Sequence, residues 1–138
     1  MINRFKDEFH FLSNMSVVNV EMDGITFPSS DHAYQFHKAI TSKDKQRLLK
    51  AKTPYDVKRI SKLVEIRPDW DLIKEDIMYK CVKAKFTQNE DYNIALCMTH
   101  PHELVEGNWW GDTEWGVCNG VGKNKLGKIL MRVRNELC

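Results

Sequence analysis

Two stretches of this 138-residue chain concentrate the side chains that chemistry needs. The first runs Pro28-Ser29-Ser30-Asp31-His32-Ala33-Tyr34-Gln35-Phe36-His37-Lys38. Asp31, Gln35 and Lys38 follow an i, i+4, i+7 spacing, which places a carboxylate, an amide and an ammonium on one helical face. A carboxylate in the first turn is also favoured by the helix dipole, so the residues alone favour capping over catalysis for Asp31. Tyr34 and Phe36 read as core or core-edge aromatics.

The second stretch lies near the end of the chain. Six of the seven glycines fall between Gly107 and Gly127, and three of the four tryptophans between Trp109 and Trp115. A glycine-rich loop that leads into a helix can bring backbone N–H groups close to a phosphate. Indole faces stack on bases, and Asp112 can act as a carboxylate or hold ribose hydroxyls. The plainer reading is a long loop stiffened by aromatic packing and closed by glycine turns, but loops of this length are usually functional or disordered, and three tryptophans argue against disorder, which favours a binding loop. Gly120-x-Gly122 follows no β-α-β unit, so a dinucleotide-binding fold is not expected.

Metal chemistry finds little support. The four cysteines, at 81, 97, 118 and 138, include no close pair, which suits neither a zinc site nor a small disulfide scaffold. Free thiols in a reducing cytoplasm are expected. His32 and His37 are five apart on a helix and point in different directions, and His100-Pro101-His102 lacks a third ligand. No metal and no cofactor is expected.

The elements that carry these residues can be read from patterning. Val18, Val20 and Met22 alternate with polar residues, and Asp23-Gly24 turns the chain into Ile25-Thr26-Phe27, a hairpin ended by Pro28. Ser29-Ser30-Asp31 then starts a helix over His32 to Ile40. Thr53-Pro54 opens another, carrying Val57, Ile60 and Val64. Pro68 opens a longer one with Trp70, Ile73, Ile77, Cys81 and Ala84 on one face and Lys74, Lys80, Lys83 and Lys85 on a solvated one. Helices over Asn89 to Met98 and through Leu126, Ile129, Leu130, Val133 and Leu137 follow. The fold class is α+β, helix-rich, with a small N-terminal β portion, and residues 1–138 are expected to form a single domain.

Composition sets the outer bounds. There are 21 Lys plus Arg against 19 Asp plus Glu, a net charge of +2 that does not mark a polybasic nucleic-acid binder. No apolar run reaches the roughly 18 residues of a membrane span, and the opening residues are too polar for a signal peptide. A soluble, cytoplasmic protein with no membrane partner is expected.

Taken in order, the strings resemble one family. Phe11-Leu12-Ser13-Asn14, the Asp23-Gly24 turn, Pro28 through Gln35 with Lys38, Trp70 with Met78, and Ala84-Lys85-Phe86 are similar to the NADAR, or YbiA-like, family. The likeness continues through Leu104-Val105-Glu106, Asp112-Thr113-Glu114-Trp115-Gly116 and Gly122-Lys123-Asn124-Lys125-Leu126-Gly127. The resemblance implies a compact helical domain with a small β portion and an N-glycosidase activity that needs no metal. Its implied substrates are ADP-ribosylated guanine in nucleic acid or, alternatively, N-ribosidic intermediates of riboflavin synthesis. A module that binds ADP-ribose or NAD without cleaving it is a third possibility.

The resemblance also implies roles. The family has glutamate, taken as catalytic, where this chain has Asp31, which draws the carboxylate back by roughly 1.5 Å, about one C–C bond. Asp31 would stabilise charge at the anomeric carbon or activate water, and Asp112 would orient the ribose or share the water. Trp70 would stack on the leaving base or wall the pocket, and Trp115 would pack beneath the loop or against the ligand. Lys38, Lys123 and Asn124, with backbone donors around Gly122, would meet phosphate and ribose. Asn14 would fix a base edge or a loop, and Glu106 would support its neighbours without touching substrate.

Overall fold

Asp23 and Gly24 both hold positive φ, 52° and 80°, and turn strand β1 (Val17–Met22) back onto β2 (Ile25–Ser29). Two consecutive left-handed residues match the twist of an antiparallel pair, which is the reason an Asp-Gly pair sits there. Val20 opposes Phe27 and Met22 opposes Ile25 across the ladder. Val20 and Phe27 are buried, so the hairpin has one inward face.

The computed structural model describes residues 1–138, which divide into two compact units. One comprises Asn14–Asn89 and the other Met1–Ser13 with Glu90–Cys138. The element content, six α-helices and two two-stranded sheets, is that of a helix-rich α+β protein.

In the 14–89 unit the hairpin is followed by α1 (Ser30–Phe36), α2 (Ser42–Leu49), α3 (Pro54–Ser61) and α4 (Trp70–Gln88). Helix starts follow local chemistry: Thr41 accepts from the Asp44 N–H and Thr53 from the Asp56 N–H, each at 3.1 Å. Pro54 occupies the first turn of α3, where a missing N–H costs nothing. Helix α1 stops at Phe36, earlier than expected, because Lys38 N–H bonds the Gln35 carbonyl in a tightened turn. The Gln88 side chain exchanges two 2.7 Å hydrogen bonds with the backbone of Glu21 and so docks the end of α4 on β1.

Helix α4 corrects one expectation. Lys80 is exposed, Lys74 and Lys83 are half-buried, and Lys85 is wholly buried, although a solvated lysine face was expected. The helix packs against both α1 and β1, so burial extends beyond Trp70 and Cys81 to Met78, Val82, Lys85 and Phe86. Burial brings the Lys85 ammonium down to about 7.

The second unit contains a 3-10 helix (Asp7–Leu12), α5 (Glu90–Met98), two short parallel strands β3 (Gly107–Asn108) and β4 (Val117–Cys118), and α6 (Lys125–Leu137). Ile2 pairs with the backbone of Glu103 and Val105 at 2.8 Å. Arg134 of α6 donates to Thr99 Oγ1 and to the His102 carbonyl at 3.0 and 2.8 Å. Cys97 and Cys138 are disulfide-bonded, with Cα atoms 5.6 Å apart. The expectation of four free thiols fails for these two, because a partner 41 residues away leaves no mark in local spacing, and the inference to a reducing compartment loses that premise. No helix is long and apolar enough to cross a membrane.

Candidate active site

Every residue of α1 from Ser30 to Phe36 is buried, so its polar side chains must find partners inside the protein. Most do. The Ser29 hydroxyl accepts from the His32 N–H at 3.0 Å and lies 2.6 Å from His32 Nδ1. His32 Nε2 is 2.9 Å from the Ala51 carbonyl, which can only accept, so that nitrogen carries the proton. Burial lowers the His32 pKa, consistent with a neutral core imidazole. Ser30 donates to Asn14 Oδ1 at 2.8 Å, the Asp31 N–H reaches the Asn14 carbonyl at 3.3 Å, and Asn14 Nδ2 donates to Met78 Sδ at 3.2 Å. Asn14 therefore anchors the start of α1.

Asp31 and Gln35 are the exceptions. Asp31 is 5 % exposed and Gln35 7 %. Gln35 Nε2 donates to Asp31 Oδ1 across a long 3.4 Å, while Asp31 Oδ2 and Gln35 Oε1 are buried with no hydrogen-bond partner. Burial pushes the Asp31 carboxyl up to about 6, opposed by the charge of Lys58, the Gln35 hydrogen bond and the charge of Lys38. Half-buried Lys38 is itself lowered by burial, raised by Asp31, and lowered again by Lys62 and Lys74. Burial, with the Asp31 charge, drives the Cys81 thiol far up, so it supplies no thiolate. A carboxylate with one oxygen braced, one bare, and lysine charge around it can stabilise a developing cation or take a proton from water. Trp70 is buried and packs against Tyr34, ring centroids 5.1 Å apart, as a core tryptophan does.

The glycine- and tryptophan-rich segment is organised by Asn108, which sequence reasoning missed. Its Nδ2 donates to the Asp112 carbonyl at 2.9 Å, and its Oδ1 accepts the Asp112 N–H at 3.0 Å, clipping a turn shut. Asp112 Oδ1 accepts the N–H groups of Glu114 and Trp115 at 3.2 and 3.0 Å. Trp109 and Trp110, at the tip, are exposed and meet edge to face. Trp115 lies under the Lys125 ammonium, 5.8 Å from its ring centre.

Four N–H groups that follow Gly122 are already bonded inside this loop. The N–H groups of Lys123, Asn124, Lys125 and Leu126 are bonded to the carbonyls of Thr113, Gly116, Glu114 and Trp115. Asn124, expected at phosphate or ribose, is buried and donates to the Leu104 carbonyl while accepting the Glu106 N–H, both at 3.0 Å. Glu106 in turn accepts the Val117 N–H through its carbonyl. Gly122, at φ +154°, is required because a Cβ there would strike the Gly116 carbonyl. Lys123 is exposed.

A model of the NADAR domain matches residues 2–138. The N-glycosidase YbiA of Escherichia coli is 31% identical over 137 residues, covering 95% of this chain and 83% of that protein. A protein named N-glycosidase from Nostoc punctiforme is 34% identical, covering 91% of this chain and 83% of its own. The NMR structure of E. coli YbiA superposes with a TM-score of 0.88 at 30% identity, over 99% of this chain and 86% of the other. The chain belongs to the NADAR family. A riboflavin biosynthesis protein of Vibrio vulnificus is 35% identical over 95% of this chain but only 36% of its own length. Relatives that carry the N-glycosidase name over most of their length support a glycosidase activity for this member.

Within this NADAR chain, Asn14, Asp31, Lys38 and Trp70 belong to the 14–89 unit. Glu106, Asp112, Trp115, Gly122, Lys123 and Asn124 belong to the other. The structure joins Asn14, Asp31, Gln35 and the charge of Lys38 into one cluster, and it gives Asp112, Gly122 and Asn124 loop-building contacts. Lys58, which acts on Asp31 from α3, has no local signal in the sequence. No group of three or more His, Cys, Asp or Glu side chains is arranged to hold a metal ion. A cleft of about 720 Å³ along the 3-10 helix and α5 contains none of the expected site residues.

Proposed function

We propose that this NADAR protein hydrolyses the N-glycosidic bond between ribose and a base, acting on ADP-ribosylated guanine in nucleic acid. The observation that carries the reading is Asp31, a buried carboxylate with one bare oxygen and a pKa raised to about 6, which is ionised at neutral pH. As the C–N bond breaks, its electron pair leaves on the base nitrogen, and positive charge develops at the ribose anomeric carbon. Asp31 stabilises that charge from a low-dielectric setting and takes the proton of the water that adds. The departing base takes a proton from solvent, and Asp31 returns the water's proton to solvent to complete the cycle. Lys38, with Lys62 and Lys74 acting on it, supplies positive charge suited to the substrate's phosphates.

A second reading is favoured by the relatives named for riboflavin biosynthesis, which match 95% of this chain. On that reading the substrate is a free pyrimidine ribosylamine phosphate. A chromatographic hydrolysis assay with an ADP-ribosyl-guanine oligonucleotide and 5-amino-6-ribosylaminouracil phosphate separates the two. Release of ADP-ribose, lost in Asp31→Ala, is the expected result, and Asp31→Glu should keep or raise the rate. Cleavage of only the second compound would move the function to metabolism. Binding of both without cleavage would make the protein a reader of ADP-ribose.

A further inference from the structure

The residues of helix α1 are buried, and their polar side-chain atoms are satisfied with two exceptions, Asp31 Oδ2 and Gln35 Oε1. Leaving a buried acceptor without a donor costs on the order of 1–3 kcal/mol, so two such atoms one helical turn apart call for an explanation. Packing does not provide it. The same helix finds partners for Ser29, Ser30 and both ring nitrogens of His32. The orientation of Gln35 is set by chemistry, because only its NH2 group can donate to a carboxylate oxygen. Its carbonyl oxygen must therefore point elsewhere, and it meets no donor from the protein.

We propose that Gln35 is a substrate-contacting residue whose Oε1 accepts a hydrogen bond from the ribose 2-hydroxyl, while its amide N–H braces Asp31. The proposal rests on the N-glycosidase reading of Asp31. If the Asp31 carboxylate addresses the anomeric carbon, the hydroxyl on the adjacent ring carbon is the closest ligand donor to a second acceptor one turn along the same helix. Hydrogen bonds to this hydroxyl strengthen as the ring flattens toward an oxocarbenium ion, so the contact contributes more to the transition state than to the bound ground state. One side chain thus positions the carboxylate and reads the sugar as ribose rather than 2-deoxyribose.

The test is a two-by-two comparison of kcat/KM. Wild type and Gln35→Met are each assayed on the N-glycoside that wild type hydrolyses and on its 2-deoxyribosyl counterpart. The greater intrinsic lability of deoxyribosides cancels when the two enzymes are compared. Gln35→Met should slow both substrates, because Asp31 loses its brace, and should also shrink the preference for the 2-hydroxyl by about tenfold. An unchanged preference would reduce Gln35 to a brace and overturn the contact. Gln35→Asn, which keeps the amide but withdraws it, serves if the methionine variant does not fold, and it should shrink the preference as well. Wild type that hydrolyses neither N-glycoside would remove the parent reading, and this proposal with it.

Discussion

The Asn14 carbonyl receives the N–H of Asp31 at 3.3 Å, and its side-chain oxygen receives the neighbouring Ser30 hydroxyl at 2.8 Å. Asn14 precedes the hairpin and Asp31 follows it, so the residue that anchors the carboxylate's helix is brought there by the β1–β2 turn. Asn14 acts on the site through the backbone. Its side-chain amide donates to Met78 Sδ and ties the same point to α4.

Asn14→Ala should consequently cost stability before it costs affinity. It leaves the buried Ser30 hydroxyl without its acceptor, a loss of about 1–2 kcal/mol by urea denaturation. We expect kcat to fall while KM changes little, since Asp31 is displaced and no ligand contact is removed. A rise in KM at unchanged stability would place Asn14 on the substrate.

Asp31 is expected to destabilise the fold it serves. In an unfolded chain its carboxyl releases a proton near 3.8, and in the folded protein near 6. Between these values folding takes up a proton, so the contribution of Asp31 to stability falls as pH rises through that window. Below it both states are protonated and no penalty exists. A shift of about two units is worth at most about 3 kcal/mol. Asp31→Asn should therefore raise stability at pH 8, leave it nearly unchanged at pH 4, and abolish turnover. Denaturation at the two pH values reads the difference.

The same titration shapes activity. Because Asp31 works as the carboxylate, kcat/KM should rise with pH through an acidic limb near 6. The charge of Lys38 helps to hold that limb down. Lys38→Met should move it to higher pH, and a pH–rate profile with an unmoved limb would separate Lys38 from the carboxylate.

Legibility in the sequence followed the range of each interaction. The Asp23-Gly24 turn, the Thr53-Pro54 helix start and the shared helical face of Asp31 and Gln35 are local features, and each is readable, whereas Lys38 falls beyond the end of α1. Lys58 beside Asp31, Met78 beneath Asn14, and the bridge from Cys97 to Cys138 join residues far apart in the chain, and no spacing announces them. Lys85 misled because alternation along a helix presumes one buried face, whereas α4 has two neighbours. The glycine cluster was visible, but composition cannot tell whether a loop's N–H groups face a ligand or its own carbonyls.

The disulfide predicts a measurable loss. Cys97 and Cys138 join α5 to the end of α6 across a separation of 41 residues, and constraint of an unfolded loop of that order contributes about 2–4 kcal/mol. Cys138→Ser should lower the melting temperature of the oxidised protein to that of the reduced wild type. Thiol titration of the unreduced, unfolded wild type should find Cys81 and Cys118 alone. Equal stability of the oxidised and reduced proteins would show that the Arg134 contacts hold α6 unaided.

Gly122 offers the sharpest separation of structure from binding in the loop. The phosphate-cradle reading makes it a position where a ligand meets the backbone, so that Gly122→Ala would weaken binding and leave stability untouched. The geometry predicts a cost in stability. A methyl group there would meet the Gly116 carbonyl, the same oxygen that accepts the Asn124 N–H, at a backbone φ of +154° that side chains rarely adopt. The carbonyl cannot retreat without losing Asn124, and Asn124 cannot move without releasing Leu104 and Glu106. Gly122→Ala should therefore cost on the order of 2–4 kcal/mol, the range of overpacking combined with backbone strain. Gly111→Ala is the control: it also has positive φ, but nothing lies within reach of its Cβ, so about 1 kcal/mol is expected. Equal losses at the two glycines would mean that left-handed backbone, and not the Gly116 carbonyl, dictates the residue at 122.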